Sequence, residues 1–368
     1  MRGSMKWVVG IFALCLLLSP SKGIYAQAAA EQKQPQAKTK AEYDAYLALF
    51  NEQDPSKKSE LATKFLTDYP DTEFKTYIYQ MLINSYAQLG NAAKVIETGE
   101  RFSTDVPAAD NNTKKFVFQR MMSAYQQQNN FDKTVEYGEK LLAIDPKDLP
   151  SLLTLSSILP ERLPQDEAKR NAQLDKALDY AQRAQNEVNS LQKPAQITEQ
   201  QWTVEKNKLL STVNSSVGLV HLNRKDYNQA SKHYEESTRL AKTNPIDFYR
   251  LGISYTSLAR NAAKDLNEIV ASMNQVQTEL QNTSDAAAKQ EKERKLQELK
   301  TRSQESEKQF PEYRDKAIDS LAKSVYLKGV TEQQARTQLE QLYKSKNNNS
   351  LDGLDSLIAQ AGESLKKQ

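Results

Sequence analysis

Two stretches of the sequence align with each other without a gap: YIYQMLINSYAQLGNAAKVIETGERFSTDVP at residues 77–107 and FVFQRMMSAYQQQNNFDKTVEYGEKLLAIDP at residues 116–146. In both, apolar residues recur at steps of three and four, which is the period of an amphipathic α-helix. Tyr86 in the first stretch aligns with Tyr125 in the second. Self-similarity at a fixed spacing of this size indicates a repeat architecture.

The ends of the helices can be read from the same two stretches. Gly90 and Asn129 follow the first helix of each, and both residue types tolerate the left-handed backbone of a tight turn. A second apolar helix comes next and stops before Pro107 or Pro146, because proline cannot extend a helix interior. Each stretch therefore predicts a helix, a tight turn, a second helix and a stop.

Less regular copies surround these two. Residues 43–70 read as a degenerate first unit, residues 217–234 as a later unit, and residues 248–255 as the first helix of the last one. Between residues 149 and 191 only a second helix is recognisable. Its matching residues are Ala177, Tyr180, Ala181 and Ala184.

This pattern resembles the tetratricopeptide repeat family. The matching residues are Tyr79, Leu82, Tyr86, Gly90 and Pro107, then Phe118, Met121, Tyr125, Asn129, Phe131 and Pro146. Ile83 and Met122 depart from the family, which has a small residue where the paired helices touch. The resemblance implies an all-α fold, a right-handed solenoid of about five to six helix-turn-helix units. We expect the solenoid to cover residues 41–258 and Tyr86 and Tyr125 to be packing residues.

A long helical hairpin is predicted to interrupt the last unit, over residues 259–311. Apolar residues recur at steps of 3, 4, 3 and 4 on its first helix, the seam of a coiled coil. They are Leu266, Ile269, Met273, Val276 and Leu280. Leu296, Leu299, Ser303, Ser306 and Phe310 form a weaker seam on the return helix, and Pro311 is expected to break or kink the chain. Residues 312–368 would complete the repeat and add capping helices.

The start of the chain has the features of a secretory signal peptide, predicted for residues 1–28. Arg2 and Lys6 precede an apolar run over residues 7–18, and Ala26 and Ala28 give the small-x-small pattern of a cleavage site. Residues 29–40 read as a flexible linker. We expect export to the periplasm or cell envelope without a lipid anchor, because Cys15 follows a leucine. No later segment is apolar enough to span a membrane.

Composition and motifs argue against several function classes. Removal of residues 1–28 leaves 47 basic and 47 acidic residues, which argues against nucleic-acid binding. It also removes the only cysteine, and His221 and His233 are twelve residues apart on different predicted helices. No HExxH motif, phosphate-binding loop or nucleophile elbow occurs. We therefore predict no catalytic, cofactor-binding or metal-binding residues and no enzymatic activity.

In solenoids of this family the inner face of each first helix lines a concave groove that takes extended peptides or partner helices. The resemblance places ten residues there: Tyr77, Gln80, Asn84, Gln88, Phe116, Gln119, Ser123, Gln127, Tyr249 and Ile253. We expect an aromatic and amide surface almost free of charge that binds an unidentified protein or peptide. Two alternatives stay open: these residues are merely exposed to solvent, or the protein is a structural component that self-associates through residues 266–280.

Overall fold

The computed structural model describes residues 35–366, and all regular structure in that range is helical. The helices are α1 (Lys40–Asn51), α2 (Pro55–Asp68), α3 (Lys75–Gln88), α4 (Ala92–Asp105), α5 (Asn111–Gln127), α6 (Phe131–Ile144), α7 (Leu149–Ile158), α8 (Glu167–Ser190), α9 (Glu199–Asn223), α10 (Tyr227–Leu240), α11 (Pro245–Gln281), α12 (Ala286–Leu327), α13 (Glu332–Lys346) and α14 (Leu354–Lys366). The predicted all-α fold is confirmed. The predicted signal peptide, residues 1–28, lies outside the described residues.

The chain divides into two compact units, one ending at Ser151 and the other beginning at Leu152. In the first unit each helix packs against the next one along the chain, from α1 to α6, and α3 also packs against α5. This is the arrangement expected of helix-turn-helix repeats, because one pair cannot bury its apolar stripe without a neighbouring pair.

The turns within the pairs have the predicted left-handed residues. Gly90 has a φ of 66° and Asn129 a φ of 55°. The residue after each of them caps the following helix. The Asn91 side chain accepts a hydrogen bond from the Lys94 backbone N–H, and the Asn130 side chain accepts the equivalent hydrogen bond in its own helix. The prediction of tight turns at these two positions is therefore confirmed.

The core of the first unit includes most of the repeat residues that the sequence singles out, while Tyr86, expected as a packing residue, is half-buried against it. Tyr79 is fully buried and meets the ring of Phe102 edge-on at 5.8 Å, and Tyr125 is 5% exposed. Gly99 of α4 makes room for α5, since a Cβ atom there would lie 2.5 Å from the Sδ atom of Met121. This close approach explains how a large Met121 side chain fits between α4 and α5, which belong to successive helix pairs.

In the second unit, the structure agrees with the helix that the sequence shows between residues 149 and 191. The predicted face of α8, which includes Ala177 and Tyr180, is buried. Helix α7, which precedes it in the chain, is not predicted by the pattern, because its leucine-rich run lacks a clear helical period. Within the described residues, α1 to α12 give six helix pairs in chain order, within the expected five to six units, and α13 and α14 follow them.

The long hairpin is formed by α11 and α12, of 37 and 42 residues. Ile269 and Val276 of α11 and Leu299 of α12 are buried against one another. Of the expected break or kink at Pro311, the break does not occur, because α12 continues through this residue. Proline removes one backbone hydrogen bond, while packing of the following turn against α11, at Ala317, supports the helix.

The final helices α13 and α14 pack on α12. Ala335 and Leu339 of α13 and Leu354 and Ile358 of α14 are buried with the end of α12. They thus cover its apolar face, as a terminal cap does in repeat proteins. Within residues 35–366, none of the helices combines the length and the apolar character needed to cross a bilayer.

Candidate functional site

Helix α3 presents two faces, and the predicted groove residues lie on the one that is not part of the core. Tyr77 is 46% exposed, Gln80 and Asn84 are half-buried, and Gln88 is exposed. They follow one another at steps of three and four, so they share one face of the helix. Tyr79 and its neighbours on the opposite side are buried in the core.

Helix α5 repeats this arrangement. Phe116, Gln119 and Ser123 are half-buried, and Gln127 is exposed. Met121, between them in sequence, is fully buried. We use the name groove surface for the faces of α3 and α5 that point away from the core, together with the face of α1 that bears Tyr43, Leu47 and Phe50.

Two amide side chains on α3 form hydrogen bonds with side chains on α5. Gln80 donates to the Thr113 hydroxyl at 3.5 Å, and the Asn84 amide oxygen accepts a hydrogen bond from Arg120 at 3.1 Å. The Arg120 guanidinium also lies over the Phe116 ring, 5.4 Å from its centroid. The prediction of a surface almost free of charge is therefore wrong. The sequence pattern missed Arg120 because it lies one position outside the set of residues expected to line the groove.

A second set of charges lies where α5 meets the turn before α7. Gln119 donates to the Asp148 carboxylate at 2.8 Å, and the Lys115 ammonium lies 3.2 Å from the same group. Lys115 also donates to Asp145. Burial disfavours the Lys115 ammonium, but the two carboxylates outweigh it and raise its pKa, while the hydrogen bond from Lys115 lowers the pKa of Asp145. One ammonium is thus shared by two carboxylates, so this group of three side chains has one more carboxylate than cation.

Helix α1 contributes exposed apolar residues that were not predicted. Tyr43 is 50% exposed, Leu47 36% and Phe50 54%, and their spacing of four and three places them on one helix face. The spacing of these residues is visible in the sequence, but the first unit matches the repeat pattern too weakly to indicate which of its faces is exposed.

Tyr46 connects this face of α1 to α3. Its ring stacks on Phe74 at 4.2 Å and 14°, directly before α3 begins. Burial raises the pKa of the Tyr46 phenol, and the nearby Tyr77 phenol raises it further. Tyr77 therefore lies beside α1, and we call Tyr43, Leu47, Phe50 and Tyr77 the aromatic patch.

Two predicted groove residues belong to the second compact unit. Tyr249 and Ile253 lie half-buried on α11. Thr256, on the same helix, is buried, and its hydroxyl donates to the Gly252 carbonyl at 2.7 Å. It is therefore part of the helix packing and presents no side chain to a ligand.

The two histidines are in contact, which their separation in sequence did not reveal. The rings of His221 on α9 and His233 on α10 are nearly parallel, with centroids 5.6 Å apart. His233 Nδ1 lies 3.0 Å from the Asn214 amide oxygen, and His221 Nδ1 lies 3.4 Å from the Asp226 carboxylate without good hydrogen-bond geometry. Burial lowers the pKa of both rings. No cluster of three metal-ligating side chains occurs among residues 35–366.

One buried carboxylate has a perturbed pKa, the feature that would point to catalysis. Asp247 is 1% exposed, and burial raises its pKa. It accepts hydrogen bonds from Ser215 at 2.5 Å and from Ser237 at 2.7 Å, which belong to the preceding helix pair. Each carboxylate oxygen thus accepts a hydrogen bond from a serine on a neighbouring helix, so Asp247 connects adjacent repeats. Neither oxygen is left without a partner inside the protein.

No protein-family model matches the chain, and no curated protein matches it. Solved structures of repeat proteins are similar to it. One is the C-terminal part of a TPR repeat-containing protein from Cytophaga hutchinsonii, 11% identical, with a TM-score of 0.40 over 85% of this chain and 98% of that one. Another is a tetratricopeptide repeat protein from Parabacteroides merdae, 11% identical, with a TM-score of 0.37 over 83% of this chain and all of that one.

The helix pairs, their turns and their stacking define an all-α protein built from helix-turn-helix repeats. The chain is similar to tetratricopeptide repeat proteins in this architecture. At 11% identity the likeness concerns the fold alone.

Proposed function

We propose that this protein is a non-enzymatic protein–protein interaction scaffold of the bacterial periplasm or envelope, which holds a partner peptide or helix against the groove surface. The aromatic patch carries this proposal. Tyr43, Leu47 and Phe50 are exposed on one face of α1, and Tyr77 is exposed on α3, near Tyr46 of α1. Exposed apolar groups that lie together can mark interaction sites. Tyrosine and phenylalanine suit such sites because they supply large contact area with few rotatable bonds.

The location in the envelope depends on residues 1–28. Mass spectrometry of the protein purified from its native cells tests it, since cleavage after Ala28 gives a chain that begins at Ala29. A chain retaining its first residues in the cytosolic fraction would contradict export but leave the binding proposal intact.

The binding proposal is tested with a variant of the aromatic patch, Tyr43→Ala, Phe50→Ala and Tyr77→Ala combined. These side chains are about half exposed, so the fold should be retained, as circular dichroism can show. A cross-linkable amino acid replacing Leu47 should capture a defined partner from envelope extract, and the triple variant should lose it.

The matched control removes exposed apolar side chains elsewhere. Leu89 and Val204 are each 48% exposed and lie outside the aromatic patch. The combined Leu89→Ala and Val204→Ala variant should keep the same partner. Equal capture by all three proteins would show that the aromatic patch is not a binding site.

The alternative function, assembly through the predicted seam at 266–280, has less support. Ile269 and Val276 of that seam are 4% exposed and already packed against α12. A second molecule could reach them only if the hairpin opened.

A further inference from the structure

Helix α1 has an apolar stripe that the described part of the chain leaves half uncovered. Tyr43 is 50% exposed, Leu47 36% and Phe50 54% within residues 35–366. The terminal repeat of a solenoid normally has a polar outer face, which keeps the protein soluble. At the other end of the chain, α13 and α14 cover the apolar face of α12. The stripe on α1 has no such cover, which indicates that another chain supplies one.

The charges beside this stripe change sign from one end to the other. The Lys40 side chain, seven residues before the middle of the stripe, is 86% exposed, and Asp54, seven residues after it, is also exposed. The two carboxylates of α1 have partners within the chain. Asp44 pairs with Lys40 at 2.6 Å, and the buried Glu42 accepts a hydrogen bond from a backbone N–H. Glu52 adds a half-buried carboxylate at the end that has Asp54.

An antiparallel pair of α1 helices matches this pattern with itself. If Leu47 meets its own copy on a two-fold axis, each position faces the one equally far beyond the axis. Lys40 then faces Asp54 of the second copy, and the Tyr43 ring lies close to the Phe50 ring. A parallel pair would instead set Lys40 against its own copy, and like charges that face each other are unfavourable. The stripe is therefore complementary to itself in one orientation.

The exposed area suits a weak and reversible contact. Aromatic side chains bury about 150–250 Å² each, so the exposed parts of Tyr43, Leu47 and Phe50 amount to roughly 250 Å² per copy. Tyr77, 46% exposed on α3, borders them and adds to this area. Standard interfaces bury about 1,200–2,000 Å² in total, and smaller ones are weak or transient. We therefore expect a dimer that dissociates on dilution.

We propose that the partner helix held by the aromatic patch is α1 of a second copy of this chain, packed antiparallel across a two-fold axis at Leu47. The two apolar stripes cover each other, and Lys40 pairs with Asp54 of the other copy at each end. This inference rests on the proposed function and names its partner. It differs from self-association through residues 266–280, because it uses exposed side chains and leaves the packed ones in place.

The test places charges on the proposed two-fold axis of the full chain. Light scattering at about 100 µM protein should show a dimer for wild type and monomers for Leu47→Asp and for Leu47→Lys, because like charges then face each other. An equimolar mixture of the two variants should restore the dimer, since opposite charges meet. Binding of an unrelated partner cannot produce this rescue. Leu47 is only partly buried, so circular dichroism should show that both variants are folded.

The matched control uses an exposed leucine outside the aromatic patch. Leu89 is 48% exposed and directly follows α3. Leu89→Asp and Leu89→Lys, alone or mixed, should give the same mass as wild type.

A second measurement tests the orientation of the two helices. Lys40→Gln and Asp54→Asn should each weaken the dimer by roughly two- to fivefold, because each change removes the ion pair from both ends. The combined variant should be no weaker than either single one, since the pair is already lost. Asparagine caps a helix as well as aspartate does, so the start of α2 is retained. Additive losses would mean that these side chains do not meet and would overturn the antiparallel arrangement.

Three further outcomes would overturn the inference. They are a monomeric wild type at about 100 µM, a dimer that persists in both Leu47 variants, and a mixture of the variants that stays monomeric. If the cross-linker at position 47 then captures a different chain, that chain occupies the aromatic patch and the proposed function stands. If it captures nothing, the proposed function fails as well, so the two failures are distinguishable.

Discussion

Gly252 lies where α11 crosses α12 closely. A Cβ atom added there would stand 2.6 Å from Cγ of Leu321, which is fully buried. The same device recurs at Gly218, where a Cβ atom would lie 3.0 Å from the buried Tyr234 ring. Small residues at these crossings therefore allow large core side chains on the partner helix.

We expect Gly252→Ala to destabilise the protein. Alanine favours a helix by about 1 kcal/mol over glycine, but overpacking against Leu321 typically costs about 1–3 kcal/mol, so the midpoint of urea unfolding should fall. Ser272→Ala, at a half-buried position of the same helix where the hydroxyl bonds only to the Glu268 carbonyl, is the control and should leave the midpoint nearly unchanged. A raised midpoint for Gly252→Ala would mean that Leu321 repacks freely.

The contact between His221 and His233 predicts a dependence of stability on pH. Burial lowers the pKa of both rings, and the neighbouring His221 lowers that of His233 further. Asp226 opposes this effect at His221, while Arg224 and Lys232 add to it. In the unfolded chain the histidines take up protons near their ordinary pKa of 6.5, whereas in the folded chain they do so only at lower pH. Their contribution to stability is therefore present above about pH 6.5 and is lost as the pH falls below it.

The measurement compares urea midpoints at about pH 7.5 and pH 5.5. Wild type should lose more stability on acidification than the His221→Gln variant, in which the pair is broken. An identical loss in both proteins would assign the pH dependence to other groups.

Sequence and structure agree best for side chains whose role follows from local periodicity. Tyr79, Met121 and Tyr125 could be assigned to the core because helical spacing alone places them on one face. The bond between Arg120 and Asn84 joins residues 36 apart, and its existence depends on how α3 and α5 pack. Periodicity cannot supply that information, so the charge on the groove surface was missed.

At the scale of secondary-structure elements, the hairpin shows which features a sequence pattern predicts correctly and which it does not. The steps of 3 and 4 identified its buried residues, including Ser303 and Ser306, which are 8% exposed. The same reasoning predicts a break or a kink at Pro311, and α12 continues through that residue without a break. Propensity is a local preference, and packing against α11 outweighs it.

We expect Ile269→Asp to open the outer part of the hairpin without unfolding the repeats. The change buries a charge in the small cluster with Val276 and Leu299, which has few other apolar neighbours. Hydrogen exchange should accelerate over roughly the outer halves of α11 and α12 and stay unchanged in α3 to α6. Val270→Asp, at an exposed neighbouring position, is the control.

The same variant separates the two readings of the seam. If the seam serves only the hairpin, the oligomeric mass of Ile269→Asp equals that of wild type. A drop in mass would favour self-association through residues 266–280.

At the scale of the whole molecule, stability should be distributed along the chain. Each helix in the first unit contacts mainly its neighbours in sequence, and α8 to α12 pack in the same sequential way in the second. In such proteins a local change alters the stability of adjacent repeats most strongly.

Hydrogen exchange of the Gly252→Ala variant tests this expectation. Protection should fall in α10, α11 and α12 and be retained in α1 to α4. A uniform loss of protection over residues 35–366 would show that the chain unfolds as a single cooperative block.

The division of α3 into a buried and an exposed face has an engineering consequence. Tyr77 can be exchanged without disturbing Tyr79, two residues away, because their side chains point to different environments. The same holds for Tyr43 and Phe50 beside the buried Leu49. These exposed positions could therefore be substituted one at a time, to give the surface a new chemistry while the buried face keeps the helices in place.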